Sequence, residues 1–263
     1  MKNLLFFFIF IILFNCNKNI EAKNTVKAEL EHEVEDKVED KVDAKDEIKI
    51  DKDFLLGKFD YKTHLDFIKV DSKLSSKVLF LQKETYVAFL KMHTVAKAEE
   101  INLIIISGTR NFEEQKRIWN RKWEKYKNLS PVERAEKIME YSSMPATSRH
   151  HWGTDLDLNN LNNSYFDSGE GEKIYDWLVK NANDYGFYQV YNDKISGRTG
   201  YNLERWHWSY LPLASKYLKS YNSQISYDDI SGFDGAEYAD NLKSIQDYVN
   251  GISENAKKFE IKK

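Results

Sequence analysis

Apolar residues in the first half of the folded region recur at helical spacing and then at extended spacing. Across 77–100 they follow a period close to 3.6 residues, which predicts a helix that covers a sheet. The short, isoleucine-rich run Asn102–Ser107 is typical of a buried strand. The sequence Ser-Gly-Thr-Arg at 107–110 then ends that strand and predicts a junction with the next helix.

Helical spacing returns in several later stretches. Asn111 followed by Glu114 can cap a helix that runs to about Lys127, because the Asn side chain accepts a backbone N–H bond and the glutamate reaches back. Three further helices are predicted from Pro131 to Tyr141, from Ser168 to about Tyr185, and from Leu211 to about Tyr221. A final amphipathic helix is predicted from one apolar stripe, formed by Tyr238, Leu242, Ile245 and Val249. No repeat or second core is evident, so residues 54–263 are predicted to form one domain.

The N-terminus has the pattern of a bacterial lipoprotein signal, assigned to residues 1–16. Met1-Lys2-Asn3 precedes the apolar run Leu4–Phe14, which is too short to span a bilayer and ends beside Cys16. Lipoprotein signals usually carry small residues before the cysteine, whereas Phe14 and Asn15 stand here. The alternative is an ordinary secretory signal cleaved after Cys16 or near Ala22. Lipidation of Cys16 is favoured, because a lone cysteine at this position has no other evident use. Two or more acyl chains on that residue would give stable membrane anchoring.

Residues 17–53 have the composition of a tether between that anchor and the folded domain. They are crowded with Glu, Asp and Lys, and they contain no aromatic residue. Such a segment cannot bury enough apolar surface to fold alone, although valines spaced four residues apart allow a partly helical tether. As a flexible coil it would reach on the order of 35 Å. These features predict an exported, membrane-anchored lipoprotein that faces the periplasm or cell surface.

Composition and charge exclude several classes of function. The net charge is −3, without the basic stripe that nucleic-acid binding usually shows. The single cysteine excludes an internal disulfide framework and a cysteine-based zinc site. Six Trp, sixteen Tyr and fifteen Phe are enough for a sizeable core and for a cleft lined with rings. The oligomeric state is left open.

Two clusters of polar residues carry the candidate chemistry. Ser148–Leu158 reads S-R-H-H-W-G-T-D-L-D-L, and Glu204–Trp208 reads E-R-W-H-W. Two histidines and a carboxylate suit zinc and leave one coordination position open for water. We expect two of three ligands from the first cluster and the third from the second. Either cluster alone would be read as histidines that pack in a loop or a core strand, and it is their combination that favours a metal site.

Strand geometry orders the candidates within each cluster. If Thr154–Leu158 is a strand, Asp155 and Asp157 share one face and the leucines the other. His150, in the turn before that strand, can curl over the same face, whereas His151 is a weaker candidate. Glu204 reaches the site either through a bend in an extended chain or through a helical turn.

A carboxylate beside a metal ion is typical of hydrolytic active sites. Here Glu204 can act as general base for a metal-activated water. Arg110, at the strand-to-helix junction, is as well placed for binding an anion as for a surface ion pair. It could stabilise an oxyanion or hold a substrate carboxylate.

The pattern S-x-H-x-x-G-x-D-x-D at 148–157, with E-R-W-H-W and the S-G-T-R element, resembles the zinc D-alanyl-D-alanine carboxypeptidases of VanY type. These belong to a superfamily with lysostaphin-type peptidases and hedgehog domains. The resemblance extends from roughly Phe54 to the end of the chain. It implies an α+β fold, with a small antiparallel sheet flanked by helices and a single zinc site in a cleft. The site residues that it implies are metal ligands at His150, Asp157 and His207, a base at Glu204, Arg110 near the reacting carbonyl, and a substrate-side position at Ser148. Ser107 and Asp155 are further candidates for substrate binding.

The implied substrate is the D-Ala-D-Ala terminus of peptidoglycan stem peptides, with one Zn2+ per domain as cofactor. The same site would also suit a murein endopeptidase or an L,D-carboxypeptidase, and a non-catalytic wall-binding lipoprotein is the alternative from another class. One departure from the family pattern bears on the substrate. Asp155 replaces a usually small residue, and it either orients a ligand histidine or binds a cationic substrate group.

Overall fold

The computed structural model describes residues 50–260. The predicted signal peptide with Cys16, and nearly all of the predicted tether, lie outside the described residues. The first helix, α1, covers Lys52–Leu55 and spans the boundary that was placed between residues 53 and 54. Within 50–260, no helix has the length and apolar character needed to cross a membrane.

The centre of the fold is a four-stranded antiparallel sheet with strand order β3-β4-β6-β5. Its strands are β3 (Ile105–Ser107), β4 (Asp155–Leu158), β5 (Phe187–Tyr188) and β6 (His207–Tyr210). A separate antiparallel pair is formed by β1 (Phe67–Lys69) and β2 (Phe80–Gln82).

Helices surround this sheet. They are α2 (Lys83–Ala98), α3 (Phe112–Lys125), α4 (Pro131–Met139), α5 (Gly169–Asn181), α6 (Leu211–Gln224) and α7 (Glu254–Lys257). Short 3-10 turns cover Arg149–Trp152, Asn163–Asp167, Ala182–Tyr185, Tyr227–Asp229 and Ala236–Tyr238. The expected α+β fold, a small antiparallel sheet flanked by helices, is confirmed.

Side-chain alternation gives the sheet one apolar face. Leu156, Leu158, Trp208 and Tyr210 belong to the largest buried apolar cluster, together with residues of α2 and α5. Burying each large apolar side chain contributes roughly 1.5–3 kcal/mol, so this face is the main reason the sheet and helices stay together. The opposite face of β4 and β6 is left to polar side chains.

The helix start at Asn111 is formed as predicted. The Asn111 side chain accepts from the Glu114 backbone N–H at 2.9 Å, and Glu114 accepts from the Asn111 N–H at 3.1 Å. This reciprocal pair satisfies two backbone donors that the first turn of α3 would otherwise leave free. The chain therefore enters α3 directly after Arg110.

Two sequence-based assignments need correction. The helix expected to begin near Lys77 begins at Lys83, because residues 80–82 pair with β1 as strand β2. The prediction of one continuous amphipathic helix near the C-terminus was also wrong. Its region holds a 3-10 turn at Ala236–Tyr238 and a π-helical turn at Ser244–Val249. Lys243 between them has a φ of 50°, a left-handed conformation that interrupts an α-helix.

Candidate metal centre and active site

Strand pairing brings Ser107, Asp157 and His207 into one row across three strands. Asp157 lies opposite His207 in the β4–β6 pair and opposite Ser107 in the β3–β4 pair. Residues directly opposite each other in an antiparallel pair point to the same face. The polar face of the sheet therefore presents a carboxylate beside an imidazole.

His150 reaches the same face from the 3-10 turn before β4. The turn ends at Gly153, whose φ of 72° lets the chain reverse into the strand, and a β-carbon at this position would collide with the ring of Phe67. His150 Nδ1 lies 2.8 Å from the carbonyl oxygen of Gly108. Because that carbonyl can only accept, Nδ1 carries the proton and Nε2 keeps its lone pair toward the cleft.

The three predicted ligands converge. The closest ligand atoms of His150, Asp157 and His207 all lie within 4.8 Å of one another, and all three residues are buried. Asp157 Oδ1 is 3.4 Å from His150 Nε2 and 3.2 Å from His207 Nδ1. No group within residues 50–260 donates a well-aligned hydrogen bond to the buried Oδ1 of Asp157. An unsatisfied oxygen between two imidazole nitrogens fits the donor set of a divalent metal such as zinc.

Asp155 contacts the far side of the His207 ring. Its Oδ2 is 2.9 Å from His207 Nε2, so Nε2 is the donating nitrogen and Nδ1 faces Asp157. Carboxylates that accept from the outer nitrogen of a ligand histidine fix its tautomer and orientation. Of the two roles left open for Asp155, the geometry favours the orientation of His207. The side chain is fully buried and does not line the pocket.

A buried polar network surrounds Asp155. Arg149 Nε donates to its Oδ2 at 3.0 Å, while Ser209 and Thr154 donate to its Oδ1 at 2.7 and 2.9 Å. Arg149 also donates to the Ser209 hydroxyl at 2.7 Å. Burial by itself would raise the pKa of Asp155, but the Arg149 guanidinium and the His207 ring outweigh it and hold that pKa below its usual range. The carboxylate is therefore ionised where it meets His207.

Glu204 lies beside the ligand set, at the start of a tight turn. The His207 backbone N–H donates to the Glu204 carbonyl at 3.3 Å, which is the helical-turn alternative rather than the extended one. The side-chain Oε2 of Glu204 is 3.5 Å from His207 Nδ1. Burial raises the pKa of Glu204 to about 8, against the lowering effect of the nearby His207 ring. In the metal-free protein, burial therefore favours the protonated form of this carboxyl group.

Arg110 extends from the β3–α3 junction toward the same place. Its Nη1 donates to the Ser107 hydroxyl and lies 3.7 Å from Asp157 Oδ2, and its Nε donates to Gln115 at 3.1 Å. Gln115 is itself fixed by donating to the carbonyl of Ser143 at 2.7 Å. The guanidinium is thereby held next to the metal-type triad.

The residues of the site line one pocket of about 720 Å³. Its wall includes the predicted Ser107, Arg110, His150, Asp157, Glu204 and His207. Ser148, expected on the substrate side, is buried and does not line this pocket, because the 3-10 turn that carries His150 folds it inward. Sequence reasoning missed several other residues of the wall, among them Gln115, Lys122, Tyr191 and Tyr201.

His151 belongs to the scaffold. Its Nδ1 lies 2.7 Å from the Arg110 carbonyl, and its Nε2 accepts from the Ala146 N–H at 3.2 Å. Burial lowers the pKa of His151 to about 3, so the ring is neutral and ties two loops together. This agrees with its lower rank among the candidate ligands.

Arg149 was also missed from the sequence, although one feature of the sequence indicates its role. An aspartate on the cleft-facing side of a buried strand needs a cation or several donors, and Arg149 lies six residues before Asp155. The other missed residues lie outside the two clusters and the Ser107–Arg110 element, and no local pattern marks them.

Comparisons with known proteins agree with the family resemblance of the sequence motifs. Residues 78–213 match the family model VanY, D-alanyl-D-alanine carboxypeptidase. A D-alanyl-D-alanine carboxypeptidase of Enterococcus faecalis is 28% identical over 118 residues, which are 44% of this chain and 42% of that protein. One of Enterococcus faecium is 27% identical over 185 residues, 70% and 51% of the two chains. The chain thus spans about half the length of the curated relatives it matches.

Among solved structures, a vancomycin-resistance D,D-pentapeptidase of VanY type in complex with Zn(II) is 24% identical with a TM-score of 0.45, over 62% of this chain and 85% of that one. The family-model match covers just over half of the 263 residues and contains both metal-binding motifs and the S-G-T-R element. The chain therefore belongs to the VanY D-alanyl-D-alanine carboxypeptidase family.

Proposed function

We propose that this protein is a zinc-dependent carboxypeptidase that hydrolyses the terminal D-Ala-D-Ala bond of peptidoglycan stem peptides. The observation that carries the proposal is the unsatisfied Asp157 oxygen between His150 and His207, with Glu204 and Arg110 in the same pocket. The names of the curated relatives support the substrate, since both are D-alanyl-D-alanine carboxypeptidases.

His150, Asp157 and His207 would hold the zinc ion through Nε2, a carboxylate oxygen and Nδ1. When bound, zinc supplies Lewis-acid activation of water and of the scissile carbonyl. The protein itself contributes a buried set of ligand atoms in fixed orientations. Gly108 and Asp155 fix the two imidazole tautomers, and both ligand nitrogens point inward.

Glu204 is the proposed proton carrier. It takes a proton from the attacking water and returns it to the amine of the departing D-alanine. Its carboxylate is buried, so the exchange takes place away from bulk water. Arg110 Nη1 lies 3.7 Å from Asp157 Oδ2, and its guanidinium would stabilise negative charge on the reacting carbonyl oxygen.

Products from defined muropeptides, identified by mass with and without a chelator, test the proposal. Release of one D-alanine from a pentapeptide, abolished by the chelator and restored by zinc, is the expected result. Cleavage between peptide chains would indicate the murein endopeptidase alternative, and release of D-alanine only from tetrapeptides would indicate the L,D-carboxypeptidase. Absence of any metal-dependent product would leave the wall-binding alternative and refute the proposed enzyme.

The Glu204→Ala variant tests the assigned base. We expect turnover to be abolished while zinc binding persists, because Glu204 is not among the three ligands. Glu124→Ala, on the exposed surface of α3, is the matched control and should behave like the wild type. Substantial turnover by the Glu204 variant would contradict the mechanism.

We further propose that the protein is exported and anchored to a membrane through lipidated Cys16. The proposal rests on the apolar run and the cysteine at its end. The charged segment 17–53 would then let the domain reach peptidoglycan at some distance from the bilayer.

A further inference from the structure

Lys122 is a partly buried cation in the wall of the active-site pocket. It projects from α3, and its Nζ donates to the Ser142 hydroxyl at 2.6 Å. Among the ion pairs formed within residues 50–260, none includes Lys122. An ammonium group has three donors, so one bond to a neutral hydroxyl leaves two of them for another acceptor.

The burial of this ammonium is unfavourable in the protein alone. Burial lowers the pKa of Lys122, and only the Glu204 carboxylate opposes it appreciably. Partly desolvated cations are usually paired with an anion, and residues 50–260 place no carboxylate within ion-pair distance of Lys122. The pocket itself is where the missing anion would lie.

The other partly buried cation of the pocket is already engaged. Arg110 donates to Ser107 and to Gln115, and it lies 3.7 Å from Asp157. These contacts hold it beside Asp157, where the proposed function places the reacting carbonyl. A carboxypeptidase must also recognise a free carboxylate one residue beyond that carbonyl, which needs a second donor.

We propose that Lys122 binds the C-terminal carboxylate of the peptide substrate and so selects chain ends over internal bonds. This inference rests on the proposed function and deepens it. Lys122 and Glu204 line the same pocket, so an anion bound by the ammonium would lie in the cavity that contains the proposed base. With Lys122 holding the carboxylate, the role proposed for Arg110 at the carbonyl oxygen is unchanged.

The test compares an acylated Lys-D-Ala-D-Ala peptide, which has a single carboxylate, with its C-terminal amide. Both are assayed with zinc-loaded wild type and the Lys122→Met variant. Lys125→Met, on an exposed position of the same helix, is the matched control. Because the free acid is the sole anion in the peptide, binding of an acidic side chain elsewhere in a stem peptide cannot produce the effect.

We expect Lys122→Met to lower kcat/KM for the free acid by roughly tenfold to hundredfold, mainly through KM, because a charge-assisted hydrogen bond is lost. The amide should be a poor substrate for both proteins, with little difference between them. Zinc affinity, measured by chelator competition, should be unchanged, and Lys125→Met should match the wild type throughout.

Calorimetric binding to the zinc-loaded Glu204→Gln variant gives a readout without turnover. Here the free acid should bind at least tenfold more tightly than the amide, and adding Lys122→Met should remove that preference. An unchanged preference would overturn the inference. So would an equal loss of binding for both peptides, which would indicate that Lys122 only supports Ser142. Failure of the proposed function would appear separately, as absence of zinc-dependent turnover in the wild type.

Discussion

Replacing Arg149 with methionine removes the cation that faces the buried carboxylate of Asp155. The Arg149 and Asp155 side chains are 1% and 0% exposed, and Arg149 Nε lies 3.0 Å from Asp155 Oδ2. Methionine keeps much of the aliphatic stem next to Trp152, whose ring centroid is 5.0 Å from the Arg149 guanidinium carbon. The substitution therefore removes mainly charge and hydrogen bonds.

The cost follows from leaving one charge of a buried pair alone. Removing one partner of such a pair destabilises a protein by about 3–5 kcal/mol. Asp155 keeps hydrogen bonds to Ser209 and Thr154, so we expect the lower end, about 3 kcal/mol. Asp155→Ala leaves Arg149 as the unpaired charge and should cost a similar amount. In the double variant both charges are gone, and the loss should be smaller than the sum of the single losses by at least ~1 kcal/mol.

Zinc affinity should follow a different order. Asp155→Ala removes the acceptor of the His207 Nε2–H, and loss of such a contact lowers metal affinity by roughly 10–100-fold. The double variant lacks the same acceptor, so its zinc affinity should stay low although part of its stability returns. Stability and metal affinity are thus expected to separate within one set of variants.

Urea unfolding of the metal-free proteins, followed by circular dichroism, measures stability without a contribution from bound metal. Competition with a chromophoric chelator measures zinc affinity. Lys137→Met, in the exposed pair with Glu140, is the control and should leave both quantities unchanged. Strictly additive losses in the double variant would refute the coupling of Arg149 to Asp155. Wild-type zinc affinity in Asp155→Ala would refute the role of Asp155 in orienting His207.

Three further predictions address the reaction, the fold and the anchor. Arg110→Met should lower kcat by roughly 10²–10³ with a smaller change in KM, and steady-state kinetics showing mainly a KM effect would contradict its placement at the carbonyl oxygen. Gly153→Ala should destabilise by roughly 2 kcal/mol or more in thermal unfolding, because its β-carbon meets Phe67 at a positive φ. Gly197→Ala, also at positive φ but in open space, is its control, and equal losses would show that the collision is unimportant. Cys16→Ala should release the protein from membranes in fractionation of producing cells, and unchanged retention would count against lipidation.

Much of the metal site could be predicted because it depends on local geometry. Two-residue alternation places Asp155 and Asp157 on the face opposite the buried leucines of β4, and the observed register has the same alternation. The cap at Asn111 is equally local, since both partners lie within one helical turn. Such features need only a few neighbouring residues to form.

The rest depended on contacts between distant segments. Lys122 and Tyr191 reach the pocket only after α3 and the loop before β6 have packed around the sheet, and no periodicity in the sequence reports that packing. The two geometries left open for Glu204 differ by one backbone turn. The backbone N–H of Glu204 donates to the carbonyl of Tyr191 at 2.9 Å, a contact with a distant residue that holds the start of this turn. The prediction of one continuous C-terminal helix was wrong because the spacing of apolar residues does not reveal the left-handed backbone conformation of Lys243.

The pairing of β4 with β6 links the stability of the fold to the chemistry of the site. The register covers three positions, with Asp157 opposite His207 and Leu156 opposite Trp208. Because side chains alternate with a period of two, a slip by one residue would turn Asp157 toward the core and Leu156 toward the pocket. Such a slip would expose apolar surface, bury a charge and separate two ligands at once. The same burial that stabilises the sheet therefore also selects the register in which the ligands meet.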